Sequence, residues 1–140
     1  MSLSSALGIQ IRKIKYDCKP FEVIVAGEII EHLSNPGLFS EGIKHLTSKN
    51  GIFIFTTVNA YCLRRFIRIL FGIESVHPDH KFYFSHSTLT SLLERHRFKI
   101  KKRFNYRLPK GSSRIPYIFE LLISVISNNL VEGILYVAEI

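Results

Sequence analysis

The chain has 140 residues, 46% of them hydrophobic and 21% charged, a composition that builds a packed core and excludes a disordered chain. Its net charge is +8 at pH 7, which favours anionic partners over cationic ones. The longest apolar candidate, 115–126, is interrupted by Glu120 and falls short of the roughly 20 residues of a membrane span.

The length suits one domain, 1–140. The first eight residues lack the basic start and apolar stretch of a secretory signal, so the expected location is cytoplasmic. Cys18 and Cys62 have no metal-ligand spacing and read as reduced thiols.

In chain order, 9–16 is a short strand in which the alternation slips at Lys13, where a bulge is expected. Residues 21–26, Phe-Glu-Val-Ile-Val-Ala, form an apolar run ending at Gly27 that reads as a buried strand. The link between the two is too short for a parallel crossover, so they are expected to pair as an antiparallel hairpin. Ser34-Asn-Pro-Gly37 supplies helix caps and a first-turn proline, and Leu38, Phe39, Ile43 and Leu46 give that helix an apolar face. Lys49-Asn-Gly51 is a turn, and Ile52-Phe-Ile-Phe-Thr-Thr57 a second buried strand.

From 61 to 73, Leu63, Phe66, Ile67 and Leu70 recur at helical spacing with Arg64, Arg65 and Arg68 opposite them. The expectation is a basic amphipathic helix packed through its apolar stripe; such a helix also suits a membrane interface. Another helix runs from about Ser87 to His96 with Leu89, Leu92 and Leu93 inward. A strand follows at 98–106, then an apolar, helical 115–126 and a closing strand at 135–140. Alternating strands and helices make the class α/β with a mostly parallel sheet. Nine basic residues and no acidic one lie between 95 and 114: Arg95, Arg97, Lys99, Lys101, Lys102, Arg103, Arg107, Lys110 and Arg114. The run is either a solvated face or a contact for nucleic acid, an anionic membrane surface or an acidic partner.

Glu28, Glu31 and His32 fall just after the first buried strand, at the carboxyl end where open α/β sheets place their ligands. Three roles are open to them. As an imidazole, His32 suits a general base. The two carboxylates and His32, joined by His77 or His80, have the donor types of a divalent-metal site. Or they simply cap the start of the next helix.

Three stretches carry a resemblance. Phe21-Glu-Val-Ile-Val-Ala-Gly-Glu-Ile-Ile-Glu-His-Leu33 with its following Ser-Asn-Pro-Gly, Lys49-Asn-Gly-Ile-Phe-Ile-Phe-Thr-Thr-Val-Asn59, and His77-Pro-Asp-His-Lys-Phe-Tyr-Phe-Ser85 resemble, in order and spacing, the central part of class I S-adenosylmethionine-dependent methyltransferases of the type 11/12-like kind. The resemblance implies a Rossmann-like sheet lacking its first two strands. It also implies S-adenosylmethionine as cofactor, bordered by Asp17, Ala26, Gly27 and Glu28, and acceptor-side catalysis by Glu28 and His32. Glu-x-x-Glu-His with a later His-Lys-Phe is similar to the magnesium site of small-RNA 2′-O-methyltransferases, which implies Glu28, Glu31, His32 and His80 as its ligands. Only Gly8 precedes Gly27, so the glycine-rich cofactor turn of that family is not in the sequence. Methyl transfer to an unidentified acceptor is therefore expected by descent, with weak cofactor binding by the isolated chain. The alternatives are a non-catalytic remnant, a subunit that pairs with another chain or with its own copy at an exposed sheet edge, and a basic RNA- or membrane-surface module.

Overall fold

The computed structural model describes residues 19–74, 76–107 and 127–140. The readings made for 9–16, Asp17, Cys18, Lys110, Arg114 and 115–126 lie outside them. The described elements are β1 (Phe21–Gly27), a single 3-10 turn at Ile30–His32, α1 (Pro36–Leu46), β2 (Thr47–Val58), α2 (Leu63–Leu70), α3 (His86–Arg95), β3 (Lys99–Tyr106), a second 3-10 turn at Asn128–Leu130, and β4 (Gly133–Glu139).

The strands form one sheet in the order β1-β2-β4-β3. β1 and β2 are parallel, and β4 runs antiparallel to both β2 and β3. Three strands thus share one direction, and the reversed β4 lies between two of them. The carboxyl ends of β1, β2 and β3 consequently meet at one edge of the sheet, beside the start of β4.

Local chemistry sets the helix boundaries. Asn35 caps α1 by accepting the Leu38 N–H at 2.9 Å, and Pro36, which has no N–H to satisfy, occupies its first turn. Ser85 and Thr88 form a reciprocal capping box at the start of α3. The expected turn at Lys49-Asn-Gly51 is absorbed into β2 as an irregularity. The register jumps from Phe21 opposite Thr47 to Val23 opposite Ile52, and Asn50 takes φ 64° to make the bend.

The core lies on one face of the sheet. Phe53 and Phe55 of β2, Ile134, Tyr136 and Ala138 of β4, and Ala26 of β1 meet Ile43 of α1 and Leu89 and Leu93 of α3. The Phe53 and Phe55 rings stack at 4.7 Å, and Phe55 stacks on Tyr136 at 5.7 Å.

Two expectations of burial fail. β1 is not a fully buried strand, because Phe21, Val23 and Val25 project from its other face and only Ala26 is buried. α2 packs through only half of its apolar stripe. Phe66 and Leu70 are 48% and 83% exposed, whereas Leu63 and Ile67 are half-buried together with Arg64, Arg65 and Arg68, so the helix is rotated toward its arginines. Periodicity detects two faces but does not fix the rotation of a helix when polar partners await the charged side. A smaller correction concerns α1, where Leu38 stays exposed while Phe39 and Ile43 pack inward.

Two glycines give a paired test of the backbone. A Cβ on Gly51 would lie 2.4 Å from Thr47 Cγ2 and 2.9 Å from the Ser48 carbonyl oxygen, whereas one on Gly42, inside α1, meets nothing within 4 Å. Gly51→Ala should destabilise the fold by about 1–3 kcal/mol through forced displacement. Gly42→Ala should stabilise it by about 0.8–1 kcal/mol through helix propensity. Urea melts of the two variants check both signs.

Candidate active site at the carboxyl ends of β1 and β2

The site begins with a backbone reversal. Gly27 ends β1, and Glu28 adopts φ 49°, a left-handed conformation that costs a side-chain-bearing residue roughly 1–2 kcal/mol. Its N–H is held by β2, 3.1 Å from the Thr56 carbonyl and 3.2 Å from Thr56 Oγ1. The reversal feeds the 3-10 turn at Ile30–His32 and drives Glu31 into the protein.

Glu31 is completely buried. Thr57 Oγ1 donates to its Oε2 at 2.8 Å, whereas Oε1 meets no hydrogen-bond donor among the described residues. Its carbonyl oxygen accepts the N–H groups of Lys81 and Phe82 at 2.7 and 3.1 Å. Those two bonds clamp the irregular segment 77–84 across the site. Burial raises the Glu31 carboxyl above its ordinary value, and the neighbouring Glu28 carboxylate adds to the rise.

The clamped segment brings two more imidazoles to His32. His32 and His80 meet edge to face at 4.6 Å, and His77 lies 4.8 Å from His80 and 6.0 Å from His32. His32 Nδ1 is 3.2 Å from the Asp79 carbonyl oxygen. A carbonyl only accepts, so this contact places the proton on Nδ1 and leaves Nε2 of the neutral ring with a free lone pair. His80 Nδ1 is buried and unbonded among the described residues. Desolvation lowers the His80 pKa, helped by the positive fields of His32, His77 and Arg65. One ligand atom from each of Glu31, His32 and His80 lies within 4.8 Å of the others.

Glu28 stands beside this cluster rather than in it. The Tyr106 hydroxyl, from the end of β3, donates to the Glu28 carboxylate. Burial and that hydrogen bond both push the tyrosine pKa up. Tyr106 crosses β4 directly over Gly133, where a Cβ would lie 2.2 Å from the ring. Of the four candidate metal ligands, three come together, and Glu28 is engaged with Tyr106. Ala26 is buried and Gly27 exposed at the end of β1, and Asp17 lies outside the described residues. Thr57, Tyr106 and Gly133 carried no sequence signal of their own, and the Asp79 contact is made by backbone, to which residue type is blind.

Of the basic run, Arg95, Arg97, Lys99, Lys101, Lys102, Arg103 and Arg107 are all exposed, and Lys101 pairs with Glu139. Among the described residues, no helix is long and apolar enough to cross a membrane.

No family model matches the chain, and no curated protein matches it. Solved structures do. A Bacillus halodurans C-125 protein proposed to be a methyltransferase superposes with TM-score 0.61 at 11% identity, over 91% of this chain and 67% of its own. An S-adenosylmethionine-dependent methyltransferase from Mesorhizobium loti matches with TM-score 0.55 at 13% identity, over 86% and 62%. A small RNA methyltransferase matches with TM-score 0.53 at 16% identity, over 84% and 14%. The chain therefore spans between 14% and 67% of the length of these proteins.

The titration of Glu31 has a consequence for stability. A carboxyl raised by folding is protonated more readily in the native state, so its contribution is fully present below the unfolded value near 4.5 and is lost as pH rises through the native value. Wild-type stability relative to Glu31→Gln should therefore fall with rising pH in the window that opens at about 4.5. Denaturant melts of both proteins across that window check this, and a constant difference contradicts it.

Proposed function

We propose that this chain, whose fold is part of the class I S-adenosylmethionine-dependent methyltransferase fold, forms the acceptor side of a methyl-transfer site. The observation that carries the reading is the Glu31–His32–His80 cluster. It sits at the end of the sheet where this fold takes its ligands, and it keeps a bare imidazole nitrogen and an unsatisfied carboxylate oxygen.

When bound, S-adenosylmethionine supplies a methyl group activated by its positively charged sulfur. Among the described residues, Ala26, Gly27 and Glu28 fit its methionine end. Gly27 presents bare backbone there, and Tyr106 fixes the Glu28 carboxylate. His32 Nε2 accepts the proton of an acceptor hydroxyl or amine, so that the freed lone pair can take the methyl group. Glu31 stabilises the resulting imidazolium, and the Asp79 carbonyl keeps the ring in the accepting tautomer. The clamp of 77–84 across Glu31 holds these groups in one arrangement, and proximity supplies much of the remaining rate. The exposed face of β1, with Phe21, Val23 and Val25, fits a second chain that completes the cofactor pocket.

A metal-assisted form of the same reaction is favoured by one observation: two of the three clustered residues hold a buried polar atom without a partner, Glu31 Oε1 and His80 Nδ1. Glu31, His32 and His80 fit a divalent ion such as magnesium or manganese, and Glu28 would join only by leaving Tyr106. The ion would supply positive charge that lowers the pKa of an acceptor hydroxyl.

Transfer of labelled methyl groups from S-adenosylmethionine to fractionated cellular RNA, lipid and small metabolites tests the reading. His32→Ala should reduce transfer by roughly 10²–10⁴-fold. Transfer that is insensitive to this change contradicts the base assignment, and no transfer to any fraction by the chain isolated together with its native partner contradicts the function. For the metal, millimolar manganese or magnesium should raise the melting temperature by linkage, and Glu31→Ala should abolish the rise.

A further inference from the structure

The apolar residues at the end of α2 are neither buried nor frayed. Phe66, Ile69 and Leu70 share one helix face at i, i+3 and i+4, and all three are exposed. The helix then stops abruptly. Gly72 takes φ 70°, its N–H donates to the Ile69 carbonyl, and the Ile73 N–H donates to the Arg68 carbonyl, each at 2.9 Å. This hydrogen-bonded turn holds Phe71 and Ile73 outward after Leu70, and all three are more than half exposed. Scattered exposed apolar side chains need no explanation, but five large ones gathered on one ordered tip mark a contact surface.

We propose that this tip docks the chain on the surface of an anionic lipid bilayer. Two features select that occupant. The first is size. A stable protein interface takes about 20–30 residues from each side, far more than the tip offers, whereas a bilayer accepts a small apolar wedge. The second is charge. The chain carries +8 net. On β3, Lys102 and Arg103 are exposed, and among the described residues no carboxylate pairs with either. Arg103 lines the same open cavity as Tyr61, an exposed residue two positions before α2, so the basic strand borders the helix. Apolar side chains next to basic ones match acyl chains beneath anionic headgroups. Glu74 is the acidic residue at the rim of the tip, and the net charge of the chain outweighs it. With eight residues, α2 lies in the interface and does not span it. The helix also walls a cavity of about 360 Å³ that His77 and His80 line, so docking would hold the Glu31–His32–His80 cluster near the headgroups. The docking surface stands whether or not the chain transfers methyl groups.

The test is binding of the full chain at physiological salt to vesicles of phosphatidylcholine and phosphatidylserine, three to one. The wild type should sediment with these vesicles, and about fivefold or more weakly with phosphatidylcholine alone. The chain contains no tryptophan, so Phe71→Trp places a single fluorophore on the tip. Its emission should shift to the blue on the mixed vesicles and be quenched by lipids brominated on their acyl chains. Leu70→Ser combined with Phe71→Ser, both at exposed positions, should weaken sedimentation by about tenfold or more. The proposal is overturned if the wild type ignores the mixed vesicles or binds both kinds equally. Binding with the fluorophore unshifted and unquenched overturns it too, since the contact then lies on β3 alone. A blue shift that needs no vesicles and grows with protein concentration assigns the tip to a second copy of the chain and overturns it as well. Wild-type sedimentation decides the matter even where a variant fails to fold.

Discussion

A carboxylate removed from water with half of its hydrogen-bonding capacity unused is the constraint on which this site depends. Glu31 receives one hydroxyl from Thr57, while its other oxygen has no partner among the described residues. A buried, under-satisfied carboxyl costs several kcal/mol if it stays charged, and the protein relieves this by raising its pKa. The same burial lowers the pKa of His80 a few ångströms away. Acid and base are thus both pushed toward neutrality. A proton, a cation or a polar ligand entering between them gains interactions that the fold itself leaves unmade.

The surrounding architecture follows from holding that group in place. The left-handed turn at Glu28 aims Glu31 inward, β2 supplies Thr57, and the Glu31 carbonyl ties down the segment that carries His77 and His80. Tyr106 reaches Glu28 from the far strand only because Gly133 leaves room for its ring. Residues from β1, β2, β3 and β4 therefore converge on one end of the sheet, and the mixed strand order makes that convergence possible.

Much of this was legible in the sequence for physical reasons. Phe53 and Phe55 alternate within a β-rich run, and β2 is the strand that forms the centre of the core. Asn35 and Pro36 announce the start of α1 through cap chemistry that needs no tertiary information. The pairing of Glu31 and His32 with His80 was anticipated from the resemblance, since residues almost fifty positions apart have no spacing rule to link them. The orientation of α2 was not legible. A helix with Leu63, Phe66, Ile67 and Leu70 on one side and arginines on the other normally buries the apolar side; here the Glu132 partner of Arg64 and the Asn59 and Tyr83 partners of Arg65 rotate it so that Phe66 and Leu70 stay exposed. Bonds made by backbone, such as the Asp79 carbonyl to His32, leave no trace in residue type.

His32 keeps an unprotonated Nε2 because its Nδ1–H donates to the Asp79 carbonyl oxygen. Nitrogen-15 spectroscopy of the histidine rings reads this tautomer directly in the full chain near neutral pH. His32 should be the Nδ1–H tautomer with an unprotonated Nε2, the form that free imidazole side chains disfavour. A His32 ring carrying its proton on Nε2 would contradict it.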